Sequence, residues 1–209
     1  PERDRLTLGF LQRLVTPNDE EALVQGCREL LWGNDGRALE HLRTALHLAD
    51  AAFLAGLLAL KQDSLEYAAA SLERARKEHA RLGTFFRKYG ISARFGIPVT
   101  PEVTAHVEPN LRGALLALAE VYQLQQRPQS SLDCLQHLHR LEPDDVVVKL
   151  SLAELLFESR PNDRRICQRI IRLAEGVENE TALHAALLLY KGKALRELGL
   201  NDAACATLT

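Results

Sequence analysis

The chain has 209 residues, a formal net charge of −2 and no methionine, and leucine and alanine outnumber its aromatic and β-branched residues. This composition favours helix along most of the chain, and the near-neutral charge argues against a protein committed as a whole to nucleic acid. The longest apolar run, residues 51–60, is too short to cross a bilayer.

The four cysteines lie far apart without a Cys-x-x-Cys pair, which indicates single buried thiols in a reducing compartment rather than a disulfide framework. We therefore expect a cytoplasmic protein with no membrane partner, and leave open a targeting segment upstream of Pro1.

Taken in chain order, residues 3–15 carry apolar side chains at helical spacing and predict a leading helix. The pattern then predicts a first helix pair over residues 20–49 and a second over 50–90. In the second pair, the second helix is predicted to continue past Phe85 and Phe86 to Tyr89 and to end at Gly90.

One pattern of small residues occurs twice within these two pairs. Gly26 is followed at fixed intervals by Ala38, Leu42 and Ala45, and Gly56 is followed at the same intervals by Ala68, Leu72 and Ala75. Small residues at matched intervals predict two helices that touch closely and are joined by a tight turn. Self-similarity at a period of roughly 30–40 residues is typical of a helical solenoid.

Residues 91–109 contain three prolines and few strong helix formers, and predict one long irregular insertion loop. Its apolar residues Ile91, Phe95, Ile97 and Val99 argue against full disorder. The repeat then resumes over residues 110–143, 144–177 and 178–209. Because the fifth copy stops partway through its second helix, we expect further residues after Thr209.

The spacing resembles the tetratricopeptide repeat. The residues that carry the resemblance are Gly56, Ala68, Leu72 and Ala75; Leu118, Ala119, Tyr122 and Pro143; and Gly192, Gly199 and Ala204. The resemblance implies an all-α superhelix of about five antiparallel helix pairs, forming a single domain over residues 1–209. We favour it over an ordinary helical bundle, which gives no reason for small residues twelve apart in four of five copies.

The resemblance further implies that the first helix of each pair lines a concave groove that binds a protein or peptide partner. The predicted groove residues are Leu23, Cys27, Leu30, Phe53, Leu57, Lys61, Leu116, Glu120, Gln123, Leu150, Glu154 and Phe157, followed by Leu189, Lys193 and Arg196. An apolar groove receives either a partner peptide or a segment of the same chain. Residues 91–107 and the leading helix suit the second role, and we weigh the two interpretations equally.

No catalytic motif or phosphate-binding loop is present, so we expect a non-catalytic scaffold without a cofactor or a small-molecule substrate. Cys134 and His137 share one helix face near His139, but no second ligand pair lies nearby in sequence, and we expect no metal site. A regulatory module of a larger multidomain protein is another open interpretation.

The alternative partner is single-stranded nucleic acid. Residues 74–95 combine seven basic side chains with Phe85, Phe86, Tyr89 and Phe95, and such a mixture suits phosphate contact and base stacking. A solvated charged face with packed aromatic residues is the favoured explanation. A smaller stripe of Arg165, Arg169 and Arg172 is expected to point outward.

Overall fold

The computed structural model describes residues 2–14, 16–100 and 103–208. Pro1, Val15 and Thr209, which fall within the predicted domain and leading helix, lie outside the described residues, as do Pro101 and Glu102. Within the described ranges the chain is all-α with packed consecutive helices and one small sheet. The helices are α1 Glu2–Arg13, α2 Asn18–Leu31, α3 Asp35–Thr44, α4 Ala49–Lys61, α5 Leu65–Lys77, α6 Thr84–Lys88, α7 Leu111–Leu124, α8 Pro128–Leu141, α9 Val146–Ser159, α10 Arg164–Leu173, α11 Ala182–Glu197 and α12 Asn201–Leu208.

The helices fall into two compact units. Unit 1 comprises the chain up to Phe95 together with Val107–Gln125, and unit 2 comprises Gly96–His106 together with the chain from Gln126. Single-domain organisation stays a prediction. No helix in the described part of the chain has both the length and the apolar character needed to span a membrane.

In unit 1 the helices of each predicted pair meet at their glycines. A Cβ on Gly26 would lie 2.8 Å from Cγ of Leu42, and one on Gly56 would lie 2.5 Å from Cγ of Leu72. The prediction that these helices touch is confirmed. The glycine faces the leucine of the pattern most closely, while the alanine twelve residues on, Ala38 or Ala68, is fully buried in the same helix.

Four of the helix pairs have the same kind of turn, and the α9–α10 pair lacks it. The second residue after α2, α4, α7 and α11 has a left-handed backbone, with φ of 79° at Gly33, 57° at Asp63, 57° at Gln126 and 77° at Gly199. The next amide closes the turn by donating back to the helix, from Asn34 to Glu29 O at 2.8 Å and from Ser64 to Ala59 O at 2.8 Å. This is a common glycine-type helix ending, and its recurrence supports a repeated unit.

Unit 2 repeats the helix-pair packing. Helix α9 packs on α8, on α10 and on α11, and α11 packs on α12. Two of its helices have side-chain caps at their N-termini. Asp145 caps α9 by accepting a hydrogen bond from Val147 N at 2.9 Å, and Asp163 caps α10 by accepting one from Arg165 N at 2.8 Å. A first helix that contacts both its partner and the first helix of the next pair is the arrangement of stacked repeats.

The predicted extension of the second helix to Tyr89 is wrong. Helix α5 ends at Lys77, a short 3-10 turn spans His79–Arg81, and Gly83 (φ 76°) precedes α6. The buried Asp50 carboxylate accepts hydrogen bonds from the backbone amides of Gly83 and Phe85. In a continuous helix those amides would donate to carbonyls four residues earlier, so the Asp50 contacts replace helical bonds at this point.

The insertion is not irregular throughout, because it contains a two-stranded hairpin, β1 Phe95–Thr100 and β2 Val103–Val107. Strands joined by so short a link are antiparallel. Alternate side chains such as Ile97 and Ala105 are buried while Pro98 and Thr104 are exposed, as a strand with one covered face requires.

Candidate partner-binding site

Six predicted groove residues lie on α2 and α4 in unit 1. The buried ones are Leu23, Cys27 and Phe53. The ones that reach the surface are Leu30, Leu57 and Lys61. A fully buried side chain contributes to the core of unit 1 and offers no face to a partner, so the accessible part of this set is smaller than the prediction.

A cavity of about 250 Å³ opens beside these residues in unit 1, and we call it the unit 1 cavity. It adjoins α1, α2, α4 and the segment that follows α6, and it contains two predicted groove residues, Cys27 and Leu30. Its full lining is Thr7, Leu11, Cys27, Leu30, Leu31, Leu54, Phe86, Ile91, Ser92, Ala93, Arg94 and Phe95. The lining is mostly apolar, and its volume lies just below the range of about 300–1,000 Å³ usual for small-molecule pockets.

The insertion packs on one of the predicted groove residues, Phe53. The ring of Phe95 meets the ring of Phe53 edge to face, with centroids 6.1 Å apart. The amide of Ile91 donates to Phe86 O at 2.8 Å, which fixes the start of this segment against α6. The contact of Phe95 with Phe53 favours the self-filling interpretation at this residue, which stays a prediction, while Leu30 still lines the cavity.

The leading helix also contributes a wall, which is the other form of self-filling that the sequence suggests. Leu11 of α1 is buried and lines the unit 1 cavity, and Arg28 Nε of α2 donates to Leu11 O at 2.9 Å. The cavity is thus held between α2 and two segments that lie outside the helix-pair repeat.

Large apolar side chains are exposed at the end of α2 beside the cavity. Leu31 lines the cavity and is 36% exposed, and the adjacent Trp32 is 49% exposed. Phe10 of α1 is exposed as well. Large apolar side chains that remain exposed next to an apolar cavity are typical of a protein-interaction surface.

Cys27 brings a thiol to the lining of the cavity. Burial raises the pKa of this thiol to about 12, and the nearby Asp50 carboxylate adds to the shift. The thiol is therefore protonated at neutral pH. Since the thiolate is the reactive form, this environment does not activate Cys27.

Two acidic residues that the sequence analysis did not single out hold the walls of unit 1 together. Burial raises the pKa of Asp50, although the Gly83 and Phe85 amides and Arg87 oppose the shift. The carboxylate joins α4 to the start of α6. The sequence offers one hint, an acidic residue at the head of the apolar run 51–60, but nothing that names its partners.

Glu20 of α2 is the second acidic residue. It accepts hydrogen bonds from Lys88 Nζ at 2.8 Å and from Tyr89 OH at 2.6 Å. Partial burial raises its pKa, but the hydrogen bonds from Lys88 and Tyr89 and the Lys88 charge outweigh burial and lower the pKa overall. Glu20 thus ties the end of α6 to α2.

The predicted residues of α7 are also in unit 1. Leu116 is buried, whereas Glu120 and Gln123 are half-buried. Their neighbour Tyr122 donates through its hydroxyl to Glu73 Oε1 of α5 at 2.8 Å. This contact fixes α7 against α5. Tyr122, one of the residues of the repeat pattern, therefore has a packing role.

In unit 2, three predicted residues come together around one that was missed, Tyr190. Its hydroxyl donates to Glu154 Oε1 at 3.1 Å, and its ring centroid lies 6.1 Å from that of Phe157. Lys193 Nζ lies 4.5 Å from the Tyr190 centroid. Leu150 is buried, while Leu189 and Arg196 are exposed. The position of Tyr190 directly after the predicted Leu189 was the sequence signal that could have identified it.

Two of the four aromatic residues in the basic segment predicted for nucleic acid are buried. Phe85 and Phe86 are buried and meet edge to face at 5.4 Å, and Tyr89 packs on Phe85 at 5.0 Å. Base stacking needs an open ring face. Tyr89 and Phe95 are half-buried, so the nucleic-acid alternative keeps fewer rings for stacking and stays an untested prediction.

Cys134 of α8 is buried, and its thiol forms no disulfide. Among the described residues, no group of three or more His, Cys, Asp or Glu side chains has the arrangement to hold a metal ion.

Comparison with protein-family models finds no match to this chain. Comparison with curated proteins finds no match either.

Proposed function

We propose that this chain is a tetratricopeptide-like scaffold that binds a protein partner without catalysing a reaction. The observation that carries the proposal is the repeated contact of Gly26 on Leu42 and of Gly56 on Leu72, at identical sequence intervals and with the same left-handed turn. Stacked helix pairs of this kind expose extended surfaces suited to partner binding.

The proposed binding site is the unit 1 cavity with the exposed end of α2. Leu30 and Leu31 supply apolar surface, and Trp32 extends it beyond the cavity. Arg94 adds one cation to the lining, in an exposed ion pair with Glu108 at 3.2 Å. Exposed pairs are weak, so a partner carboxylate can compete for Arg94. The proposed occupant is a peptide that carries an apolar side chain and a nearby carboxylate.

The experiment is selection from a random peptide library displayed on phage, followed by affinity measurement on two matched variants. Leu31→Glu places a charge at the cavity, and Leu124→Glu places the same charge at the last residue of α7, also in unit 1. Both leucines end helices of 14 residues and are exposed, at 36% and 49%, so the variants differ mainly in location.

Selected peptides are expected to carry apolar and acidic residues, to lose roughly tenfold or more in affinity with Leu31→Glu, and to keep wild-type affinity with Leu124→Glu. Equal losses of affinity in the two variants, or unchanged affinity in both, would reject the cavity as the site.

A further inference from the structure

Unit 2 contains a second cavity, of about 300 Å³, whose character is different. It lies between the end of α8, the loop that follows, α9 and α10. Its lining is His139, Pro143, Lys149, Arg169, Arg172 and Leu173. Four of these six side chains are basic, and none is acidic. We call it the unit 2 basic pocket.

The positive charge of this pocket is only partly neutralised. Lys149 is 14% exposed, and its ion-pair partner Asp144 lies 3.5 Å away with a fully exposed side chain. Asp145, on the same loop, is engaged in capping α9 through the amide of Val147. In the described part of the chain, Arg169 and Arg172 form no ion pair with an acidic side chain. A nearly buried cation beside two arginines favours an anion in the pocket.

His139 lines the same pocket and has one unsatisfied ring nitrogen. Its Nδ1 atom is buried and has no hydrogen-bond partner among the described residues. Burial lowers the pKa of His139, and the charges of Lys149 and Arg169 lower it further against the opposing effect of Asp144. The imidazole therefore feels the same cations that would face a bound anion.

We propose that the unit 2 basic pocket binds a phosphoryl group, carried as a phosphate monoester on a partner peptide or present as inorganic phosphate. Arg169 and Arg172 lie three residues apart on α10, and guanidinium groups hold phosphate oxygens in paired hydrogen bonds. Lys149 adds a point charge, and His139 lines the pocket beside these cations. A single concave pocket suits the compact dianion of a monoester better than an extended strand of phosphodiesters.

The test follows the imidazole signals of His139 by NMR while inorganic phosphate is added at constant ionic strength, with chloride as the reference anion. His139→Gln assigns the signals. Arg169→Gln removes one proposed ligand. Arg165→Gln is the matched control, because Arg165 is exposed on the same helix but does not line the pocket.

Phosphate is expected to shift the His139 signals saturably and to raise the His139 pKa, because an anion among Lys149, Arg169, Arg172 and Asp144 offsets the repulsion between imidazolium and the cations. Arg169→Gln is expected to weaken binding by roughly tenfold or more, and Arg165→Gln to leave it unchanged. No saturable shift, or equal weakening by both variants, would overturn the proposal.

Two further ligands identify the source of the phosphoryl group. A phosphoserine peptide that binds more tightly than inorganic phosphate places the natural ligand on a protein, whereas equal affinity favours inorganic phosphate. A single-stranded oligonucleotide that displaces both with higher affinity would contradict the monoester proposal. The pocket is independent of the unit 1 cavity, so Leu31→Glu is expected to leave the phosphate response unchanged.

Discussion

The close contact at Gly56 makes a one-methyl substitution a severe test of the repeat packing. In Gly56→Ala, the new Cβ would lie 2.5 Å from Leu72 Cγ and 3.2 Å from Leu72 backbone N. Ordinary contact begins at 3.4 Å, so the leucine side chain must move by about 0.9 Å. Leu72 is fully buried, so its side chain has little room to move, and the contact with its backbone nitrogen also pushes α5 away from α4.

The expected size follows from two opposing effects. Alanine in a helix interior is favoured over glycine by about 0.8–1.0 kcal/mol. Overpacking a close-packed contact costs about 1–3 kcal/mol. We expect Gly56→Ala to lower the free energy of unfolding by about 1 kcal/mol. Gly36→Ala is the control, because a Cβ added to Gly36 in α3 would meet no neighbouring side chain or helix within 4 Å, and it should be neutral or stabilising.

The assay is urea unfolding followed by the fluorescence of Trp32, the chain's single tryptophan, which reports on unit 1. A double-mutant cycle with Leu72→Ala completes it. Because Leu72→Ala removes the two closest atoms, Cγ and Cδ2, Gly56→Ala should be much less harmful in that background, with a coupling of about 1–3 kcal/mol. If Gly56→Ala and Gly36→Ala stabilise unit 1 equally, α4 and α5 do not meet as described.

Three other predictions concern residues in the turns, the core and the salt bridges. Asp63→Gly removes the backbone strain of a residue with a side chain at φ 57° and should raise the free energy of unfolding by about 0.5 kcal/mol. Gly33→Asp introduces that strain at the equivalent turn and should lower the free energy of unfolding. The opposite result for the two variants would contradict the shared turn. Ser131→Ala removes a buried hydroxyl that has no partner among the described residues, so urea unfolding followed by circular dichroism should show no loss and a gain of up to about 1 kcal/mol. Because the pKa of Glu20 is lowered in the folded state, its ionised carboxylate stabilises the fold at pH values above its usual pKa of about 4.3. This stabilisation is lost as the pH falls through the folded-state pKa. The stability difference between wild type and Glu20→Gln should therefore be largest near neutral pH and shrink in acid, and a difference that is constant with pH would exclude the Lys88 contact as its cause.

The sequence predicted the helix-pair contacts because they depend on residues close together in the chain. Gly26 and Gly56 each face a leucine on the next helix, and the intervals are visible without coordinates. Residues such as Leu23 and Phe53 were harder to place. Helical spacing identifies the inward face of a helix, but it does not tell a groove from a core, and Phe95 covers Phe53 from far along the chain.

The two local errors have different physical origins. The interruption between α5 and α6 includes Gly83, whose amide donates to Asp50 from more than thirty residues away in sequence, and no helix-propensity argument contains that contact. The hairpin was accessible in principle. Ile97, Val99 and Val103 are β-branched residues of high strand propensity. An irregular loop was predicted instead because prolines lie next to them.

The most direct test of partner binding at the unit 1 cavity is the emission of Trp32 during titration with a library-selected peptide. Because Trp32 is exposed beside Leu31, a peptide at the cavity should change its emission saturably with one peptide per chain. Leu31→Glu should abolish that change at the same peptide concentrations. Calorimetric binding of the peptide with no change in Trp32 emission would contradict the proposed site.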